Sequence, residues 1–199
     1  MKSLRNPLSL ITLLLLCGLS ATAQTVTTVP ADAKQFSKDG LSFSYPAGWS
    51  FNDTSNADAQ RLSFGRTDSE AQITLFVFRT LVTSPEKIAE AKRVLVDKYV
   101  AATKKQFEEI DPKTTSSPAT STIGAVASEG SKIRASLDGV PGSAEIHWAV
   151  IGQRLVVLTF LGPDKALTKA MPAWDLVRGT LTIAAPEPKA QPAASPKAP

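Results

Sequence analysis

The chain has 199 residues, of which 43% are hydrophobic and 20% charged, and its formal net charge is +4. This composition excludes a wholly disordered protein, because the apolar fraction is large enough to build a core. A single cysteine excludes an intrachain disulfide framework, and a single histidine argues against a zinc cluster.

Residues 1–23 are predicted to be a cleaved signal peptide. Two basic residues precede an apolar run from Leu8 to Leu16, and residues 21–23 have the small-x-small pattern that signal peptidase requires. The run is too short to span about 30 Å of hydrocarbon comfortably. Lipid attachment at Cys17 and an uncleaved membrane anchor are the alternatives. The expected location is therefore the periplasm or the cell exterior, with no transmembrane span after cleavage.

Residues 24–35 and residues 184–199 are predicted to lack a packed core. The first segment is a polar, flexible lead-in, and the second holds five prolines and no large apolar side chain. This disordered tail is either a tether or inert. The signal peptide carries two cations and no acid, and the tail carries two lysines and one glutamate, so the charge falls from +4 to +1 without them. Nucleic acid is therefore not an expected partner.

The middle of the chain opens with a pattern typical of an antiparallel hairpin. Asp39-Gly40 is a tight-turn dipeptide, and apolar residues alternate with serines from Leu41 to Tyr45. Two more strands are predicted over residues 61–66 and 71–80. The second of these is expected to be central, because both of its faces are apolar.

An amphipathic helix is predicted over residues 85–110. Ser84 is a typical N-cap, and apolar residues recur near the helical period, with Ala102 and Ile110 among them. The Thr/Ser/Pro-rich residues 113–121 are predicted to form a loop.

A strand meander and a second helix complete the predicted fold. Turn signals at residues 138–142 and 152–153 separate three strands, and the last of them is apolar enough to be central. A helix follows over residues 163–178, and then a short final strand. Residues 36–183 are therefore expected to form a single α+β domain with a mostly antiparallel sheet covered by helices.

Glu145 and His147 form a candidate polar site. His147 is the only histidine, and Glu145 precedes it by two residues on the same strand face, as in a metal-binding or base-orienting pair. No third metal ligand is visible, and the alternative is that both residues lie on a solvent-exposed face. No metal, cofactor or catalytic residue is predicted.

Tyr45, Trp49 and Trp148 are candidate ligand-binding residues. Aromatic side chains at alternating strand positions can line an apolar pocket. The alternative is that they belong to the core, where such residues more often lie.

The segment from Asp39 to Trp49, DGLSFSYPAGW, resembles the opening of PsbP-like domains. The later order of a long helix, a meander and a closing helix is also similar, so the resemblance covers residues 36–183. It implies an α/β/α sandwich like that of the photosystem II extrinsic protein and the Ran-binding nuclear-import factor of this fold. Such proteins act mostly as binding or assembly modules, and many bacterial members are exported proteins. No functional residue can be matched to either branch.

The sequence thus favours an exported, non-enzymatic module that docks on an envelope protein or complex. One alternative is a carrier of a small apolar ligand, held in a cavity between sheet and helix. A hydrolase that uses His147 with Glu145 is a third hypothesis.

Overall fold

The computed structural model describes residues 29–184. The predicted signal peptide with Cys17, the start of the lead-in and nearly all of the tail lie outside the described residues. None of the helices between residues 29 and 184 combines the length and apolar character that a membrane span requires.

Ten strands and three α-helices make up the described part of the chain. The strands are β1 (Lys34–Lys38), β2 (Leu41–Tyr45), β3 (Ser50–Asp53), β4 (Ala59–Gly65), β5 (Gln72–Leu81), β6 (Thr115–Ile123), β7 (Val126–Leu137), β8 (Val140–Ile151), β9 (Arg154–Pro163) and β10 (Thr182–Ile183). The helices are α1 (Pro85–Ala91), α2 (Asp97–Ile110) and α3 (Asp164–Thr180), and a π-helical turn (Lys92–Val96) joins α1 to α2.

The strands form two antiparallel sheets. The large sheet has the order β3-β4-β5-β9-β8-β7-β6, and the small one has the order β1-β2-β10. β5 and β9 are central, and Leu75 pairs with Leu158 between them. This position follows from their sequences, because a strand that is apolar on both faces is stable only where both faces are covered.

Each face of the large sheet carries its own core. One core lies beneath α3 and the small sheet and includes Phe43, Leu75, Phe160 and Trp174. The other lies beneath α1 and α2 and includes Val96 and residues of β7, β8 and β9. The predicted α+β class, with helices covering a mostly antiparallel sheet, is therefore confirmed.

The long helix has the predicted bounds but a different buried face. In the π-helical turn, the Asp97 N–H donates to the Lys92 carbonyl, five residues back, so the turn holds one extra residue. The extra residue rotates α2 about its axis. Thr103 is therefore buried where Ala102 was expected, and Ile110 is 53% exposed.

The predicted loop at residues 113–121 is wrong, because most of it belongs to β6. This strand pairs with β7 from Thr115 to Ile123 without a register shift. Its serines and proline give no alternating pattern, and pairing with the long hairpin β7–β8 overrides its weak strand propensity. The meander therefore has four strands rather than three.

Candidate functional site

His147 lies in the core between β8 and α3. Odd-numbered residues of β8 face α3, and the His147 ring centroid is 6.0 Å from that of Trp174. The His147 residue is only 3% exposed. The interpretation that this strand face is solvent-exposed is therefore wrong for His147, because α3 covers it.

Glu145 lies between the buried His147 imidazole and the Lys132 ammonium. One carboxylate oxygen accepts a hydrogen bond from Lys132 Nζ at 2.5 Å, across the β7–β8 pair. The other oxygen is 3.7 Å from His147 Nε2, which is longer than a hydrogen bond. The nearby imidazole of His147 and the hydrogen-bonded ammonium of Lys132 lower the pKa of Glu145 to about 2, although partial burial opposes the shift.

Glu145→Gln is expected to flatten the acid dependence of stability. A carboxylate with a lower pKa in the folded chain stabilises the fold above its unfolded value of 4.5. That stabilisation is lost as the pH falls from 4.5 towards 2. In this pH range the urea midpoint of wild type should therefore fall more steeply than that of Glu145→Gln. Urea unfolding at a series of pH values measures the effect. Glu109→Gln, at an exposed position, is the control, and parallel curves for wild type and Glu145→Gln would contradict the prediction.

Three buried polar atoms near α3 have no hydrogen-bond partner among the described residues. They are His147 Nδ1, Ser128 Oγ and Arg178 Nε. Ser128 lies two residues from Gly130, the partner of His147 in β7, and the Arg178 guanidinium lies 5.8 Å from the Trp174 ring centroid. Unpaired buried groups of this kind are the usual positions of internal water.

The arrangement around His147 offers little for catalysis. The imidazole lies against Gly130 and beside the Trp174 ring, and only 3% of His147 is exposed to solvent. Within residues 29–184, no group of three or more carboxylate, imidazole or thiol side chains is placed to hold a metal ion. The geometry therefore gives the hydrolase hypothesis no support.

The three candidate aromatic residues do not come together. Tyr45 and Trp49 belong to the core beneath α3, and Tyr45 packs against Phe43 and Phe64. Trp148 packs on the opposite face of the sheet, where the Lys92 ammonium lies 5.8 Å from its ring centroid. A pocket shared by Tyr45, Trp49 and Trp148 is therefore absent from the described structure.

Trp49 does line a cavity, which we call the α3 cavity. Its volume is about 460 Å³, and it lies between α3 and the turn that joins β4 to β5. The lining residues are Trp49, Arg66, Asp68, Ser69, Glu70, Val140, Pro163, Lys165, Ala166, Lys169 and Ala170.

A second opening, which we call the α1 groove, lies between the helical layer and the sheet. Its volume is about 560 Å³, and apolar side chains form most of its wall. The lining residues are Asp58, Phe78, Thr80, Leu81, Val82, Lys87, Glu90, Ala91, Val94, Leu95 and Leu155. Sequence reasoning missed this groove. Val94 was a possible signal, because it is apolar yet lies off the predicted buried face.

Among the described strands, β6 has the longest unpaired edge of the large sheet. β6 has nine residues, whereas β3 at the other edge has four. Most β6 side chains are exposed, and no other described strand pairs with its outer side.

Several solved structures are similar to this chain. A crystal structure from Bacteroides thetaiotaomicron covers 77% of the chain at a TM-score of 0.50 and 15% identity, and the chain spans 49% of that protein. The solution structure of cyanobacterial PsbP from Synechocystis covers 84% of the chain over 100% of its own length, at a TM-score of 0.44 and 10% identity. The crystal structure of LpqN, involved in cell envelope biogenesis of Mycobacterium tuberculosis, covers 78% of the chain over 80% of its own length. Its TM-score is 0.34 and its sequence identity is 13%.

No protein-family model matches the sequence, and no curated protein is similar to it in sequence. At such identities, the likeness to solved structures describes the fold alone. The antiparallel sheet between two helical layers is the α/β/α arrangement that the resemblance at residues 39–49 implies. The predicted fold class, an α/β/α sandwich on a mostly antiparallel sheet, is therefore confirmed.

Proposed function

We propose that the protein is an exported, non-enzymatic binding or assembly module that docks on an envelope protein or complex. The observation that carries the proposal is that no strand within residues 29–184 pairs with the outer edge of β6. An edge strand can pair with an extended segment of another chain, and the main-chain hydrogen bonds then supply affinity. The signal-peptide pattern in residues 1–23 supports export.

The length and regularity of β6 favour strand addition as the mode of docking. All nine residues pair with β7 in one register, so no bulge distorts the edge. The strand also has no charged residue. Bulges, charged side chains and prolines commonly protect an edge strand from pairing, and of these β6 has only Pro118.

Pro118 determines which backbone groups face outward. Proline has no N–H, so a sheet accommodates it where its nitrogen points away from the neighbouring strand. Because this direction alternates along an antiparallel strand, the N–H groups of Ser116, Thr120 and Thr122 also point away from β7. An added strand would pair with these three donors and with the outward carbonyl groups.

Thr120→Pro is expected to abolish partner capture without unfolding the protein. The substitution removes an outward donor and places a ring on the free edge, but it removes no bond to β7. The measurement is affinity capture from the native envelope after chemical cross-linking. Thr120→Ala is the matched control, because it shortens the same exposed side chain and keeps the N–H.

Wild type and Thr120→Ala are expected to recover the same protein, and its binding should protect β6 amides from hydrogen exchange. Circular dichroism checks that the proline variant is folded. Equal recovery by Thr120→Pro would show that docking does not use β6. The absence of any reproducible wild-type partner would contradict envelope docking as a whole.

The second candidate function is carriage of a small apolar ligand in the α1 groove. The groove volume of about 560 Å³ is within the range of ligand pockets. Leu81, on its wall, is 38% exposed. We expect saturable binding of decanol, measured by calorimetry, to be lost in Leu81→Asp and kept in Leu137→Asp, which changes an exposed leucine elsewhere. Equal binding by both variants would contradict this function.

A further inference from the structure

The α3 cavity combines an apolar wall with charged groups at its rim. Trp49, Pro163, Ala166 and Ala170 contribute apolar surface, and Val140 joins them from the tip of the β7–β8 hairpin. The two alanines lie one helical turn apart on α3, and their small side chains leave the space between α3 and the β4–β5 turn open.

The charges at the rim do not cancel. Arg66 donates two hydrogen bonds to the Asp68 carboxylate, at 2.8 and 2.6 Å, so these two charges neutralise each other. Lys165 and Lys169 lie one turn apart on α3, and Glu70 is the one further acid in the lining. Two lysines against one glutamate leave the cavity with a net positive charge.

We propose that the α3 cavity binds an organic anion with an apolar body, such as a medium-chain carboxylate. The two ammonium groups attract the anionic head, and the wall around Trp49 removes the apolar body from water. A volume of about 460 Å³ is sufficient for a molecule of this size. This site is separate from the β6 edge and from the α1 groove.

Calorimetric titration of the full chain with decanoate, and with decanol as the uncharged analogue, tests the proposal. Decanoate is expected to bind saturably to wild type. The double variant Lys165→Gln/Lys169→Gln should bind decanoate about fivefold to tenfold more weakly than wild type, because exposed charge pairs contribute modestly to affinity. The matched control is Lys98→Gln/Lys105→Gln, which removes two exposed lysines from α2 and should leave the affinity unchanged.

Ala166→Leu tests the cavity itself. The larger side chain fills space on the wall without changing the charge, so decanoate binding should be lost. Unchanged unfolding midpoints show that each variant is folded. No saturable decanoate binding, equal affinity in the two double-lysine variants, or full binding by Ala166→Leu would each overturn the proposal. In the Leu81→Asp variant, whose α1 groove is blocked, equal affinity for decanol and decanoate would overturn the choice of an anion.

Discussion

Arg154→Met is expected to lower the free energy of unfolding by about 3–5 kcal/mol, because it leaves the buried Gln60 side chain and two part-buried carbonyl groups without their donor. Arg154 is 8% exposed at the start of β9. Its guanidinium donates to Gln60 Oε1 at 2.7 Å, to the Phe78 carbonyl at 3.0 Å and to the Asp39 carbonyl at 3.1 Å. The group therefore ties the β1–β2 turn to the large sheet.

Urea unfolding followed by circular dichroism measures this loss. Arg154→Lys should recover less than half of the lost stability, because a single ammonium cannot reach all the acceptors that the planar guanidinium group contacts. Arg93→Met, at an exposed position, is the control and should change stability by no more than about 0.5 kcal/mol. Similar small losses at Arg154 and Arg93 would contradict the assigned role.

Gly130→Ala is the second substitution with a large expected effect, about 3 kcal/mol or more. A β-carbon at this position would lie 2.1 Å from the Ile146 carbonyl oxygen and 2.9 Å from His147 Nδ1. The first contact is with backbone, so neither strand can relieve it by a side-chain rotation. The β7–β8 pair would have to separate at the point where it encloses His147.

Thermal unfolding of Gly130→Ala with and without His147→Ala separates the two contacts. The loss of stability in the double variant should be close to the sum of the two single-variant losses, because removal of the imidazole does not move the Ile146 carbonyl. Gly48→Ala is the matched control, since a β-carbon at Gly48 meets nothing within 4 Å. Restoration of stability in the double variant would show that the imidazole, not the backbone, excludes a side chain at Gly130.

Features encoded by short-range patterns could be predicted from the sequence. The β1–β2 hairpin follows from Asp39-Gly40 and the alternation after it, and the long helix begins and ends at the predicted residues. Such signals lie within a few residues of the element that they specify, so no knowledge of the tertiary structure is needed. The resemblance at residues 39–49 supplied the layered architecture.

Features that depend on tertiary packing could not be predicted. Alternation puts Glu145 and His147 on one face of β8 and Trp148 on the other, but it does not say that α3 covers the first face. The burial of His147 is therefore a consequence of where α3 crosses the sheet. β6 was missed for the same reason, because β7 rather than its own side chains holds it in the sheet.

The small sheet joins parts of the chain that are far apart in sequence. Ser42 of β2 hydrogen-bonds Thr182 of β10 at 2.7 Å, a separation of 140 residues, and the Ala184 N–H donates to the Gly40 carbonyl at 2.8 Å. Closing so long a loop costs entropy before any contact compensates for it, and folds rich in such contacts form slowly. The first hairpin therefore cannot gain its third strand until nearly all of the described chain has been synthesised, and folding should finish with this step.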